Sequence, residues 1–198
     1  MLTPTQLKIL AHLTDHPNKH LGIRELARDI STVYYLVQKN IQQLKKEKII
    51  NIVRAGKTDL IFLNKQIDSA GLVEAENFKK EHFYQKYPHL KITLRKIIAS
   101  VGSSFFILLV FGSYAKNRPR EDSDLDLLVV VPHQGQVELM ERIISSAART
   151  STFRIHETIV TEKSFVLMLS KKELNVANEA KETHILIYGT ENYYKLTS

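Results

Sequence analysis

Two aspartates separated by a single residue stand at the head of a long apolar run, and this pattern limits the possible folds most. Asp124 and Asp126 begin the run that ends at Val131, which is typical of a strand. Alternate residues of a strand point to one face, so the two carboxylates are expected to converge. Neighbouring carboxylates repel each other unless a cation lies between them, and their oxygens suit Mg²⁺. The pair therefore predicts a divalent-metal site at one end of a sheet.

A second apolar run, residues 105–111, precedes the aspartates and ends in Gly112-Ser113. A continuous apolar run predicts a strand that is covered on both faces. Gly112 lets a ligand approach the backbone, and the first N–H groups of the helix predicted to follow favour an anion such as phosphate. A phosphate cradle beside a metal site favours phosphoryl or nucleotidyl transfer. Taken separately, each feature also fits an ordinary turn or a chance pair of aspartates.

The segment FGSYAKNRPREDSDLDLLVV, residues 111–130, resembles the signature of the DNA polymerase β-like nucleotidyltransferase superfamily. Its minimal bacterial and archaeal members carry Gly-Ser-aromatic-Ala-basic-Gly, a polar loop, and then Ser-Asp-(Ile/Leu)-Asp-Leu. The matching residues are Gly112, Ser113, Tyr114, Ala115, Lys116, Ser123, Asp124, Leu125, Asp126 and Leu127. The resemblance implies a small α/β (α+β) domain with a mixed sheet.

The same resemblance implies a role for each matching polar residue. Asp124 and Asp126 are expected to be catalytic and to bind the metal, Mg²⁺ or Mn²⁺. Gly112 and Ser113 are expected to hold the phosphates, and Lys116 to contact the triphosphate. The implied reaction is attack by an acceptor hydroxyl on the α-phosphate of a nucleoside triphosphate, expected to be ATP, with release of pyrophosphate. The acceptor, whether a protein, a nucleic acid or a small molecule, stays open.

Two departures from the family pattern bear on activity. Asn117 replaces the glycine that follows the basic residue, and asparagine can adopt the left-handed backbone that glycine supplies there. Active members also carry a third carboxylate on a neighbouring strand, often as the general base. In the strand predicted over residues 153–160 the acidic residue is Glu157, so it is the candidate catalytic base. His156 beside it is interpreted as structural or solvent-facing.

The uncertain third carboxylate leaves two functions open. One is a Mg²⁺-dependent nucleotidyltransferase that uses Glu157 as its base. The other is a non-catalytic nucleotide-sensing transcriptional regulator or antitoxin-like protein, in which the metal–nucleotide complex binds but is not consumed. Without a positioned base the transfer would be slower by about 10²–10⁴-fold.

The positive charge of the chain is concentrated in its first third. Of the formal net charge of +7, residues 1–65 hold +6, with 11 Lys and Arg against five Asp and Glu. This asymmetry indicates two modules, of which the basic one is a candidate for binding a polyanion such as duplex DNA. A lysine-rich solvated surface is the alternative explanation.

Residues 1–65 are predicted to form three helices and a hairpin. Thr3 is the expected cap of the first helix, residues 23–30 form the second, and Ser31 or Thr32 caps the third. The hairpin is expected from two β-rich runs, 49–54 and 60–63, joined by a turn at 55–57. The third helix is expected to bury an apolar stripe made of Val33, Val37, Ile41 and Leu44.

The stretch ELARDISTVYYLVQKNIQQLKKEKII resembles the helix-turn-helix of bacterial and archaeal regulators. The resemblance covers residues 1–65 and implies a winged helix-turn-helix domain, although Lys48 stands where many such domains have glycine. Dimerisation or protein docking is a second use of this fold that the sequence leaves open, and so is a homodimer. The residues expected to face DNA are Tyr34, Tyr35, Gln38, Lys39 and Gln42.

The chain is thus predicted to consist of a winged helix-turn-helix domain (1–65), a helical connector (66–89) and a nucleotidyltransferase domain (90–198). With no cysteine, it excludes disulfides, thiolate zinc sites and a cysteine nucleophile. Its longest apolar run is far shorter than the roughly 20 residues of a membrane span. The N-terminus lacks the layout of a secretory signal. A cytoplasmic protein without a membrane partner is expected.

Overall fold

The computed structural model describes residues 1–16, 19–64, 69–102, 105–171 and 173–197. The chain divides into two compact units, Met1–Lys79 and Lys80–Ser198. The expected domain limits stay predictions, and residues 65 and 66, where the connector would begin, lie outside the described residues. Among the helices of the described ranges, none combines the length and apolar character that crossing a membrane requires.

The N-terminal unit is built from short helices and a small antiparallel sheet. Its elements are α1 (Pro4–Thr14), β1 (Leu21–Gly22), α2 (Ile23–Asp29), α3 (Tyr34–Lys46), β2 (Ile50–Ala55) and β3 (Thr58–Leu63). The strands pair in the order β1-β3-β2. Three helices followed by a hairpin that pairs with a strand between the first two helices make a winged helix-turn-helix, which confirms the predicted fold.

The first helix begins where the sequence predicts. Thr3 accepts a hydrogen bond from the backbone of Gln6, whose side chain in turn accepts from the backbone N–H of Thr3, and Pro4 occupies the first turn. This capping box satisfies two N–H groups that a helix start leaves without an intrahelical acceptor. The reciprocal pair therefore sets the start of α1.

The third helix buries the predicted stripe except at its first position. Val37, Ile41 and Leu44 are fully buried. The predicted cap at Ser31 or Thr32 was wrong, because Ser31 takes a left-handed φ of 50° and the helix begins only at Tyr34. Val33 is therefore the cap residue, and it is 67% exposed.

The chain leaves the third helix through a left-handed residue. Lys48 has a φ of 59° at the position where many winged helices have glycine, and this conformation costs a side chain about 1 kcal/mol. The side-chain amide of Asn64, which follows β3, donates to the carbonyl of Lys48 at 2.8 Å. This contact helps to hold the lysine in a conformation that glycine would adopt more easily.

A buried lysine joins the helix that follows the wing to the end of α1. Helix α4 spans Ser69–Lys86, and Lys79 Nζ lies 2.6 Å from Asp15 Oδ1 and 3.3 Å from Glu76 Oε2. Desolvation opposes the charged amine, but Glu76 and Asp15 outweigh it and raise the pKa of Lys79. Removing one partner of such a buried pair costs about 3–5 kcal/mol, so the cluster helps to anchor residues 69–79 to the N-terminal unit.

The C-terminal unit is a four-stranded mixed sheet covered by helices on both faces. After the end of α4 come α5 (Pro88–Ser100), β4 (Ile107–Val110), α6 (Gly112–Ala115), β5 (Leu125–Val131), α7 (Val137–Ala148), β6 (Ile155–Thr161), α8 (Glu162–Ser170), α9 (Val176–Glu182), β7 (Ile185–Tyr188) and α10 (Thr190–Thr197). The strand order is β6-β5-β4-β7. Strands β5 and β6 are parallel, whereas β4 is antiparallel to both β5 and β7. The predicted mixed sheet is confirmed.

The two faces of β5 pack against different sets of helices. Leu125, Leu127 and Val129 belong to a core that includes residues of α5 and α7. Leu128 and Val130 belong to a second core with residues of α8, α9 and α10. Every apolar residue of β5 is buried on one face or the other. This burial determines which residues of the strand point to each face of the sheet.

Titration of His12 tests the packing of the N-terminal unit. Burial is the main cause that lowers the pKa of His12 below its ordinary 6.5, nearby His16 adds to the effect, and Asp29 and Asp15 oppose it. Since the unfolded chain then binds this proton more readily than the folded one, stability is lost as pH falls through 6.5. We expect an NMR titration midpoint for His12 below 6.5, assigned by comparison with His12→Gln.

Thermal unfolding of the same two proteins provides the control for this prediction. The wild type should lose more stability than His12→Gln between pH 7.5 and 5.5, because only the wild type has this group to protonate. A midpoint at or above 6.5, with equal losses of stability in both proteins, would contradict the half-buried position of His12.

Candidate active site

The predicted site lies where β4 passes into the short helix α6 beside the first turn of β5. The backbone N–H of Phe111, the last residue before α6, donates to the carbonyl of Asp126 at 3.1 Å. Gly112 follows with a φ of +68°, a left-handed conformation that favours glycine. The chain therefore turns sharply at Gly112 while it is held to the strand that carries the aspartates.

Gly112 is also where the backbone approaches the carboxylate of Asp126. A Cβ atom at this position would overlap Asp126 Oδ2 and lie 3.0 Å from Asp126 Cγ. Two constraints, the left-handed backbone and the missing Cβ, thus require glycine here. Their result is a carboxylate placed directly against the start of α6, as the sequence pattern predicts.

The loop that leads from α6 to the aspartates is held by side chains that the sequence pattern includes. Asn117 takes the left-handed conformation expected of the family's glycine, with a φ of 59°. Its Oδ1 accepts from the hydroxyl of Tyr87 at 3.1 Å and from Lys86 Nζ. Farther along, Ser123 Oγ accepts from the backbone N–H of Arg120 at 2.8 Å. The Asn117 replacement therefore keeps the backbone of the family pattern.

Asp124 and Asp126 come to the same face at the beginning of β5. Asp126 alternates with Leu125 and Leu127 and so lies on the face of Leu128 that packs toward α8, α9 and α10. Asp124 precedes the first residue of the strand and continues the same alternation. The carboxylates are 40% and 26% exposed, respectively, so both are within reach of a ligand from solvent.

Two basic side chains face this pair: Arg154, which directly precedes β6, and His156 of that strand. Arg154 Nε lies 2.8 Å from Asp124 Oδ1, and His156 Nδ1 lies 3.2 Å from Asp126 Oδ1. The parallel register pairs Asp126 with His156 directly. From the sequence, His156 is interpreted as structural or solvent-facing, and Arg154 is not among the predicted site residues. The equal spacing of Asp-x-Asp and Arg-x-His is the sequence feature that could have indicated this pairing. It predicts contacts only when the register of the two strands is known.

Glu157, the predicted third carboxylate, is not brought to the aspartates. The register places it opposite Leu127, and strand alternation places it between Ile155 and Ile159, which pack on the core beside α5 and α7. Residues in register on neighbouring strands share a face, so Glu157 lies on the side of the sheet opposite Asp126. Its assignment as the base of a reaction at Asp124 and Asp126 does not agree with this position.

Lys116, predicted to contact a triphosphate, forms an ion pair with the helix α9. Its Nζ lies 3.0 Å from Glu179 Oε1, and the two side chains are 47% and 41% exposed. An exposed pair of this kind contributes about 0–1 kcal/mol, so Lys116 can exchange this partner at little cost. Ser113 is half-buried in α6, and its carbonyl accepts from the backbone N–H of Arg118 at 2.9 Å.

The arrangement offers two carboxylates but no ready-made cage for a metal ion. In the described ranges, no group of three or more His, Asp or Glu side chains is placed to hold one. Protein sites for Mg²⁺ commonly use one or two carboxylates and take further oxygens from substrate phosphates and water. A two-carboxylate site therefore suits a metal that arrives with a nucleotide.

Solved structures similar to this chain match its N-terminal half. ZitR of Lactococcus lactis in complex with DNA is 16% identical, with 48% of this chain and 62% of that chain covered and a TM-score of 0.37. MepR, a transcription regulator of the Staphylococcus aureus multidrug efflux pump MepA, is 21% identical, with 50% and 79% covered and a TM-score of 0.34. A protein of Archaeoglobus fulgidus is 18% identical, with 40% and 86% covered and a TM-score of 0.33. The winged-helix fold itself rests on the element order and strand pairing described above.

Comparison with protein families identifies the C-terminal part of the chain. A search of the curated proteins found no match. The family model described as "Nucleotidyltransferase domain" matches residues 91–184, which span α6, both aspartates and the sheet through β6. The predicted resemblance to nucleotidyltransferases and the predicted fusion to a winged helix are confirmed: a winged helix-turn-helix unit precedes residues that match the model of a nucleotidyltransferase domain.

Proposed function

We propose that the C-terminal unit binds a nucleoside triphosphate with Mg²⁺ or Mn²⁺ and transfers the nucleoside monophosphate to an acceptor hydroxyl. The observation that supports this best is the placement of Asp126 against Gly112, with Asp124 on the same face. It puts carboxylate oxygens, the donors that Mg²⁺ prefers, directly beside the start of α6. ATP is the nucleotide that we expect.

Each residue of the motif has a task in this proposal. Asp124 and Asp126 hold the divalent cation, which when bound neutralises charge on the phosphates. Gly112 and Ser113 present backbone N–H groups toward the phosphates, and Lys116 leaves Glu179 to contact the triphosphate. In the reaction the acceptor oxygen bonds to the α-phosphorus, the bond from that phosphorus to the bridging oxygen breaks, and pyrophosphate leaves.

A second candidate function, a nucleotide-sensing regulator or antitoxin-like protein, is favoured by the position of Glu157. The acceptor hydroxyl must lose its proton, and a positioned base contributes about 10²–10⁴-fold to such a step. Glu157 lies on the opposite side of the sheet, and His156 stands in register with Asp126 instead. The nucleotide would then bind without being transferred.

The N-terminal unit is proposed to bind duplex DNA through α3 and the β2–β3 hairpin. Its charge of +6 over residues 1–65 favours a polyanion. The side of α3 opposite its buried stripe is exposed and polar, with Tyr35, Gln38, Lys39 and Gln42 on it, and a helix of this kind reads the major groove in helix-turn-helix proteins. Dimerisation or docking of another protein is the competing use of this surface.

Replacing Gly112 tests whether the turn at Gly112 and Ser113 holds the phosphates of a nucleotide. Gly112→Ala should abolish binding of Mn²⁺ with a non-hydrolysable ATP analogue, because the added Cβ displaces the Asp126 carboxylate. It should also lower stability by about 1–2 kcal/mol through its left-handed backbone. Gly56→Ala is the matched control, since Gly56 has a φ of +60° with nothing within 4 Å of the added atom. It should lose similar stability and retain nucleotide binding, as measured by calorimetric titration and thermal unfolding.

Transfer of label from α-³²P nucleoside triphosphates tests the reaction. We expect labelled products on the protein itself, on cell extract or on RNA. Asp124→Asn and Asp126→Asn should reduce them by at least about a hundredfold, because a bound metal stabilises the transition state by several kcal/mol. Glu157→Gln should retain transfer, because its side chain lies on the other face.

The outcomes of this assay separate the two candidate functions. Binding that requires both aspartates, without transfer to any acceptor, would favour the sensor. Loss of transfer in Glu157→Gln with unchanged folding would instead reinstate Glu157 as the base and contradict the placement described above.

The salt dependence of DNA binding tests the N-terminal unit. Affinity of the full chain for duplex DNA should fall steeply as salt rises, because phosphate contacts release counterions. Lys39→Gln should reduce the slope of log K against log salt by about 0.9, the share of one phosphate contact. Lys8→Gln, an exposed change on α1, is the control and should leave the slope unchanged. Absent or salt-independent binding would favour dimerisation or docking.

A further inference from the structure

Two basic side chains at the beginning of β6, Arg154 just before the strand and His156 within it, face the two aspartates with the same two-residue spacing. Arg154 meets Asp124 and His156 meets Asp126, at 2.8 Å and 3.2 Å between the nearest atoms. The backbone register continues through this contact, since the N–H of Leu125 donates to the carbonyl of Arg154 at 2.9 Å. The pairing of β5 with the start of β6 therefore places a basic side chain beside each aspartate, and Arg154 gives Asp124 a counter-charge.

Of the two basic side chains, Arg154 has the properties of a group that can change partners. Its side chain is 78% exposed, and the guanidinium remains charged at any relevant pH. The contact with Asp124 uses Nε, whereas a guanidinium carries five N–H donors in a planar fork that suits phosphate oxygens. An exposed ion pair shifts the equilibrium between its closed and open forms by about fivefold at most. Arg154 can therefore leave Asp124 for another partner at little cost.

We propose that Arg154 is a nucleotide-binding residue that neutralises Asp124 when no nucleotide is bound and moves to the nucleotide's phosphates when a metal ion takes its place. This inference rests on the proposed function, because it requires that Asp124 binds the cation that accompanies the nucleotide. Arg154 and that cation compete for one carboxylate, whereas Arg154 and the phosphates attract each other. Loss of the guanidinium therefore has opposite effects on the metal alone and on the nucleotide.

This opposition distinguishes the proposal from a structural role. A residue that only supported the fold would weaken both ligands together when it was removed. If a residue merely added positive charge to the surface, its removal would weaken nucleotide binding by the same amount as the removal of any other nearby arginine. Loss of any nearby positive charge favours a bound cation slightly through long-range electrostatics. Loss of a group in direct contact with Asp124 strengthens metal binding more, because it also frees the carboxylate.

The test uses the full chain and two probes, Mn²⁺ alone and Mn²⁺ with a non-hydrolysable ATP analogue. For Arg154→Gln we expect Mn²⁺ alone to bind about 3–5-fold more tightly, because the metal no longer has to break an exposed ion pair, and this factor corresponds to the strength of such a pair. We expect the analogue to bind at least about tenfold more weakly, because charge-assisted phosphate contacts are lost. Electron paramagnetic resonance of free Mn²⁺ and calorimetry measure the two affinities, at constant ionic strength.

Two further variants complete the test. Arg154→Lys keeps the charge without the fork and should bind the analogue with intermediate affinity. Arg149→Gln removes an exposed arginine after α7, and both affinities should stay at the wild-type values. Weaker binding of both probes by Arg154→Gln, unchanged binding of both, or an equal effect in Arg149→Gln would overturn the proposal.

Failure of the proposed function gives a different result. In that case the wild type itself would not bind the analogue with Mn²⁺, or Asp126→Asn would bind it as well as the wild type, and both inferences would fall together. If the wild type binds and Asp126→Asn does not, while Arg154→Gln shows no opposite shifts, only the role of Arg154 is overturned.

Discussion

The parallel register between β5 and β6 decides which residues the candidate active site contains. With Asp126 opposite His156 and Leu127 opposite Glu157, the first pair shares one face of the sheet and the second pair shares the other. A slip by one residue would exchange the two faces of β6. It would also remove Ile155 and Ile159 from the core on which they pack. The packing of the core, rather than the chemistry of the site, thus selects the side chains that accompany the aspartates.

Features that depend on local sequence could be predicted without the structure. The alternation of Asp124 and Asp126, the glycine turn at residue 112 and the capping of α1 each involve neighbours within a few residues. The left-handed Asn117 belongs to the same class, because its backbone requirement can be read from the spacing of the motif. The winged helix also follows from local periods, since Val37, Ile41 and Leu44 define the buried side of α3.

Features that depend on pairing between distant segments could not be predicted in this way. The composition of residues 153–160 indicates a strand, but it does not say which residue lies opposite Asp126. Glu157 is the candidate base from sequence because it is the acidic residue of that strand, whereas the sequence alone gives no reason to connect Arg154 with Asp124. The start of α3 could not be predicted either. The length of the turn after α2 decides whether the helix includes Val33, and the apolar pattern does not give that length.

Charge compensation connects the two functions that we propose for the C-terminal unit. Two carboxylates on one face are unfavourable unless positive charge accompanies them, and in the free chain Arg154 supplies it beside Asp124. In the proposed function, the metal ion that accompanies a nucleotide would supply positive charge from outside and would change the partners of both aspartates. A ligand shifts a protein between two states only through its different affinity for them, and this exchange of partners provides such a difference. The enzyme and the sensor therefore share the binding step, and they diverge only where the acceptor must lose its proton.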